Sequence, residues 1–242
     1  MIKFKKKYRI ELAPTLKDHY YGVWEKKKKS EKFIGYFPSS TTCLSAYPQS
    51  EQLTQWIARE GWHESQRIKS QAGERGTRVH ESVTLLIEKQ TLHEENYSRE
   101  EWSRLDAFVR WYKEYNPEIM GTEIAGYSPK YGYAGRLDII CKISGKIIVN
   151  DIKTSSAIHG NFWLQVGSYA QMMEELTDLH IDKTSILQLG ASNKNNYRYV
   201  ESDDWKDDFK HFLSVKHTWE YANDITKDYV PPILTLPDTL SL

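Results

Sequence analysis

Ile147-Ile148-Val149-Asn150-Asp151-Ile152-Lys153-Thr154-Ser155 begins as a strand should, with three β-branched apolar residues in a row. It then sets a carboxylate and an ammonium two positions apart at its far end. Strand side chains alternate, so Asp151 and Lys153 share one face while Ile148 and Ile152 share the other. Upstream, Tyr133–Ile143 reads as a second strand, separated from Lys146–Lys153 only by Ser144-Gly145. Two residues with Gly supplying positive φ make a tight hairpin. That turn predicts Asp138 directly opposite Asp151, with Cβ atoms about 5 Å apart on one side of the sheet. Two facing carboxylates repel each other. A hard divalent cation between them would relieve this, and Asp oxygens suit Mg²⁺ or Mn²⁺. The alternative is that both acids end their strands in solvent and Lys153 neutralises them.

Other polar residues gather around this hairpin in the sequence. Gly121-Thr122-Glu123-Ile124-Ala125-Gly126 reads as a preceding strand that offers Glu123, either a surface charge or a ligand. Gln165 and Tyr169 lie four apart, hence on one face of the next helix. Gly76-Thr77-Arg78-Val79-His80 opens a predicted helix over 76–89, with Thr77 as its cap and Val79, Val83, Leu86 and Ile87 on the apolar face. His80 sits at the edge of that face, as a satisfied half-buried histidine or as a ligand.

The rest of the chain frames these segments. Residues 1–35 read as basic and irregular, with a lysine run at 26–29 that is either a solvated surface or a phosphate contact. Pro38-Ser39-Ser40-Thr41-Thr42 is an N-cap signal that could also hold a phosphate, and 51–62 reads as a helix. A further helix over 99–115 stops at Asn116-Pro117. Residues 161–176 return to helix, 185–189 and 197–200 read as strands, and 203–221 as a last amphipathic helix. The tail with Pro231, Pro232 and Pro237 reads as extended.

Bulk properties narrow the class. Lys+Arg and Asp+Glu are equal at 33 each, so net charge offers no sign of a polyanionic partner, although a local basic groove fits within that balance. No apolar run approaches a membrane span, and the basic start lacks the apolar stretch of a signal peptide. Cys43 and Cys141 form no CxxC pattern and are expected to be reduced, buried and structural in a cytoplasmic setting. Sixteen Tyr and eight Trp point to packing first and base stacking second.

In order, the chain reads Gly76-Thr77-Arg78-Val79-His80, Glu123, Gly135-Arg136-Leu137-Asp138, Asp151-Ile152-Lys153 and Gln165-Val166-Gly167-Ser168-Tyr169. This order resembles the PD-(D/E)XK nuclease superfamily and, within it, the RecB-like exonuclease branch that includes phage-type and mitochondrial genome maintenance exonucleases. PSSTTCLSAYP, starting at Pro38, also looks like the PSVT segment of some phage-type members. The likeness covers about 38–170. It departs from the pattern at Asn150, where an apolar residue is commoner.

The resemblance implies one α/β domain over 1–242, a restriction-endonuclease-like core with a central mixed sheet flanked by helices. An N-terminal helical extension over 1–70 would precede a catalytic core over 76–221. Asp138, Asp151, His80 and the Ile152 backbone carbonyl would bind Mg²⁺ or Mn²⁺. Lys153 would act on the attacking water and the scissile phosphate, and Glu123 would support the metal or Lys153. Gln165, Tyr169, Arg78, Arg136, Thr154, Ser39 and Thr41 would hold DNA or brace the site; the 26–29 lysine run, Arg75 and Lys130 are further basic candidates. Two cysteines cannot ligate the iron–sulfur cluster of some relatives. The implied activity is a DNA exonuclease on single-stranded or duplex ends, in a bacterial or phage-infected cell. A second copy of the chain or a recombination partner protein are candidate partners, and no membrane is. A structure- or sequence-selective endonuclease and a catalytically silent DNA-binding module are the alternatives.

Overall fold

A computed structural model describes residues 2–15, 18–226 and 229–234. Three strands come first, β1 (Tyr8–Leu12), β2 (Tyr20–Lys26) and β3 (Glu31–Pro38), then helices α1 (Ser40–Cys43), α2 (Glu51–Glu60), α3 (Trp62–Ile87) and α4 (Arg99–Tyr115). Strands β4 (Glu118–Ser128), β5 (Tyr133–Ile143) and β6 (Lys146–Lys153) follow, then α5 (Gly160–Leu176), β7 (Lys183–Leu189), β8 (Tyr197–Ser202) and α6 (Trp205–Ala222).

Strands β4 to β8 form one sheet in chain order. The β4–β5–β6 meander is antiparallel, α5 crosses over so that β7 runs parallel to β6, and β8 returns antiparallel. Ser144 and Gly145 both have positive φ, 48° and 82°, as a type I′ hairpin requires. Ile140 pairs with Val149 and Ile139 with Asn150, the register that this turn dictates. The mixed α/β class expected from the sequence is therefore present. One apolar core, with Ile140, Val149, Val166 and Met173, lies between the sheet and α5 and α6. The second, with Ile139, Ile148, Ile152, Phe108 and Trp111, lies under α3 and α4. Cys43 and Cys141 are free thiols buried in different cores, and burial pushes each up to about 12.

Three local expectations change. Tyr8–Leu12, Tyr20–Lys26 and Glu31–Pro38 are not irregular but form a second, antiparallel sheet, β1-β2-β3; the lysine run at 26–29 starts on the last residue of β2 and continues into the β2–β3 connection. The helical part of the N-terminal extension begins only at Ser40, where the Ser39 hydroxyl caps α1 by accepting the Thr42 N–H at 2.9 Å. The helix carrying His80 starts at Trp62 rather than Gly76, so Gly73 and Gly76 lie inside it and Thr77 bonds back to the Gly73 carbonyl instead of capping. Low helix propensity makes Gly76 look like a boundary. It is instead a point of close approach, since a Cβ there would sit 3.1 Å from Thr154 Oγ1. In the C-terminal tail, Ile233 bridges to Thr15, while Pro237 lies outside the described residues. No helix among the described residues is long and apolar enough to cross a membrane.

Candidate active site

The hairpin ladder between β5 and β6 ends one level short of the acids. Asp138 and Asp151 are not a paired couple: Asp138 Oδ2 accepts the Ile152 N–H at 2.7 Å, while Asp151 stays in the parallel ladder opposite Ile186 of β7. This corrects the expectation of direct opposition. The strands part because the chain changes face at that level. Leu137 belongs to the α5-side core and Ile139 to the opposite one, although residues two apart in a regular strand share a face. On the neighbouring strand the pairing passes from Thr122–Ile139 to Ile124–Leu137, and the skipped Glu123 has φ +49°, a left-handed conformation inside β4. The twin irregularity opens a fork in the sheet with carboxylates at its crotch.

Within that fork, His80, Glu123 and Asp138 bring one ligand atom each to within 4.8 Å of one another. His80 Nδ1 lies 3.4 Å from Asp138 Oδ1, and Arg136 lies 3.7 Å from Glu123. Asp151 does not join this group; its Oδ2 lies 2.7 Å from Lys153 Nζ. Beyond that ion pair, neither Asp151 oxygen makes a hydrogen bond among the described residues, although the residue is only 1% exposed. Lys153 donates to Gln165 Oε1 at 3.0 Å, and Gln165 Nε2 donates to the Tyr169 hydroxyl at 3.0 Å. The Tyr169 ring lies against Gly135, where a Cβ would come within 2.5 Å of it. The helix pair Gln165 and Tyr169 thus fixes the lysine rather than lying idle on a surface.

The charges are strongly coupled. Burial pushes Asp151 up most; Lys153 opposes this, and the charge of Asp138 adds to the rise. For Asp138 burial is again the largest influence, but His80, Lys153 and the Ile152 N–H outweigh it and hold the carboxyl below its ordinary value. Burial and Asp138 raise Glu123. Burial works against a charged His80, and Asp138 more than offsets it, so the imidazole is raised. Asp138, Asp151 and Glu123 face His80, Lys153 and Arg136, so once His80 sheds its proton the site holds more negative charge than it neutralises. Oxygen donors with one imidazole, and a buried Asp151 carboxylate lacking hydrogen bonds, fit a small divalent cation of the Mg²⁺ or Mn²⁺ type.

The fork opens into a groove of about 770 Å³. Its lining includes six of the expected residues, His80, Glu123, Arg136, Lys153, Thr154 and Thr41. Others are elsewhere. Arg78 turns away from the groove, donating to the Asn96 carbonyl at 2.9 Å and pairing with Glu101 at 3.4 Å. Arg75 pairs with Glu100. Ser39 is spent on capping α1 and bonding Thr41 and Thr42. Residues that the sequence reading passed over include Gly73, Glu81 and Thr84 on the groove wall and Phe162, whose ring lies 4.7 Å from Lys153 Nζ. The signal for Thr84 was its place one helical turn beyond His80; nothing in the sequence marks Phe162 out.

No family model matches the chain, and no curated protein matches it. Among solved structures it is similar to "Crystal structure of SSO0001", at 18% identity and TM-score 0.33, over 49% of this chain and 57% of that one. It is also similar to LHK-Exo in complex with dAMP, at 12% identity and TM-score 0.38, over 78% of this chain and 92% of the other. The alkaline exonuclease LHK-Exo from Laribacter hongkongensis gives 11% identity and TM-score 0.35, over 77% and 91%. The chain spans little more than half of the first of these. Superpositions this loose leave the activity to be read from this chain's own residues.

Proposed function

We propose that this chain is a divalent-metal-dependent deoxyribonuclease of the PD-(D/E)XK type that works from DNA ends. One observation carries the reading. An acid cluster and a clamped lysine meet at the crotch of a split sheet, facing an open groove of about 770 Å³.

In this reading His80, Glu123 and Asp138 would hold the cation, with Asp151, which is paired with Lys153, and the Ile152 carbonyl as the further ligands. When bound, it supplies Lewis acidity toward phosphoryl oxygen and makes hydroxide accessible near neutral pH. Lys153, held between Asp151 and Gln165, places fixed positive charge where negative charge grows on the scissile phosphate, and orients the attacking water. Tyr169 keeps Gln165, and through it Lys153, from swinging away. Arg136, Thr41 and Thr154 line the groove and donate to phosphate oxygens on either side of the bond that breaks.

Incubation of linear and covalently closed circular DNA with Mg²⁺ or Mn²⁺ tests this. The linear form should be degraded, the circle should survive, and chelator should stop the reaction. Nicking of closed circles would make the enzyme an endonuclease. In Lys153→Ala turnover should fall at least a hundredfold, on the scale of one lost charge-stabilising donor, while binding persists. DNA binding without cleavage by the wild type would leave a silent binding module.

A further inference from the structure

We propose that a second cleft, at the seam between the N-terminal sheet and α6, binds a nucleotide, its base against tyrosine rings and its phosphate at Lys130. The cleft holds about 380 Å³ and shares no lining residue with the groove of the acid cluster. That volume falls within the roughly 300–1,000 Å³ of small-ligand sites.

Its walls are aromatic. Tyr20 and Tyr36 come from β2 and β3, Tyr131 from the β4–β5 turn and Tyr229 from the chain after α6, with the Tyr20 and Tyr229 rings packed on each other as one wall, 6.1 Å between centroids. Such walls select a flat, polarisable ring. Its depth is polar. Tyr20 is 3% exposed, and its hydroxyl makes no hydrogen bond among the described residues. A buried hydroxyl in that state is costly unless a ligand or water engages it. Lys216, 4% exposed, also lines the cleft and is ion-paired with Glu220 one helical turn on. Together they present one donor cation, one acceptor carboxylate and one unused hydroxyl, which is what the polar edge of a nucleobase can meet. Lys130 stands exposed at the mouth, its Nζ 4.8 Å from the Tyr131 ring, where an anionic tail would emerge. Two buried polar side chains facing an aromatic slot, with a cation at its rim, match a base carrying a phosphate better than a purely apolar ligand.

The same chemistry is offered by a free mononucleotide and by one nucleotide of a DNA strand. Calorimetry on the full chain in chelator separates them, using the four 2′-deoxynucleoside 5′-monophosphates, a short single strand and inorganic phosphate as titrants. Saturable binding of a mononucleotide identifies the free nucleotide as ligand; binding of the strand alone identifies a strand subsite in this cleft where the cleft variants weaken it, since the groove also takes a strand. In either case Tyr20→Phe should weaken affinity about fivefold, the worth of one hydrogen bond. Lys130→Ala should weaken it as well, Arg136→Ala in the groove should leave mononucleotide binding unchanged, and phosphate alone should not saturate. Tyr229→Ala, at a partly exposed residue, provides a second wall variant should Tyr20→Phe lower the melting temperature. The proposal fails if nothing binds at millimolar concentration. It also fails if folded cleft variants bind like the wild type, or if mononucleotide binding disappears in Arg136→Ala, which would place it in the groove. Because the readout is binding without metal, it stands or falls independently of the nuclease reading.

Discussion

The Asp151 carboxylate lies 2.7 Å from Lys153 Nζ and is almost wholly out of water, yet burial raises it against that neighbour's pull. A carboxyl raised on folding favours its protonated form. The metal-free fold therefore loses stability as pH climbs from the ordinary carboxylate range through about 6, and below that window the cost disappears. Asp151→Asn should then raise the melting temperature in chelator at pH 8 by about 2–4 °C, the equivalent of ~1 kcal/mol in a chain of this size. It should do little at pH 4 and should abolish cleavage. A lower melting temperature at pH 8 would mean that the Lys153 pair outweighs the desolvation of Asp151. His80 bears on metal use. Its imidazole is raised by Asp138 and must shed its proton to become a ligand. Metal should bind more tightly as pH rises, and His80→Ala should flatten that dependence as well as weaken the affinity; an unchanged Mn²⁺ titration would remove His80 from the site.

At the scale of elements, the reach of α5 to the active lysine depends on a glycine in β5. Gly135 lets the Tyr169 ring lie on the strand, Tyr169 holds Gln165, and Gln165 holds Lys153. Gly135→Ala forces a Cβ to 2.5 Å from Tyr169 Cε1. Overpacking of this kind costs about 1–3 kcal/mol. Turnover should fall further than the melting temperature alone explains, with Tyr169→Phe, which keeps the ring and removes the hydroxyl, sharing the turnover defect but not the overpacking. A Gly135→Ala enzyme with full turnover would break this chain of support. Elements of this kind were only partly visible in the sequence. Ser144-Gly145 fixed the hairpin and its register because turn chemistry is local. The start of α3 was misread because Gly76 answers to Thr154, seventy-eight residues away, and no local rule records that contact. The strands over 8–38 were hidden for a related reason: their inner face packs on distant Tyr127, and the lysine run drew attention to a turn. The acids were legible as a set, but their grouping was not. Glu123 at φ +49° and the change of face at Asp138 are tertiary features that regrouped Asp138 with His80 and left Asp151 to Lys153.

For the whole molecule, equal numbers of acids and bases leave only local cations to hold a polyanion. The groove presents Arg136 and Lys153. The four lysines at 26–29 lie beyond the other end of β2 from Tyr20, whose partner Pro38 leads into Thr41 of the groove. A strand rises roughly 3.3 Å per residue, so six steps along β2 put the run about 20 Å farther from the groove than Tyr20 is. A short single strand seated in the groove should not reach it. Each phosphate neutralised contributes about 0.7 to the slope of log affinity against log salt for single strands. Arg136→Ala should therefore flatten the slope by about that amount, whereas replacing all four lysines with alanine should leave it unchanged. The check is the salt dependence of binding to a short strand in chelator, followed by fluorescence anisotropy. A slope that falls by about 3 on removing the lysine run, and stays put in Arg136→Ala, would move the DNA path off the groove and across the N-terminal sheet.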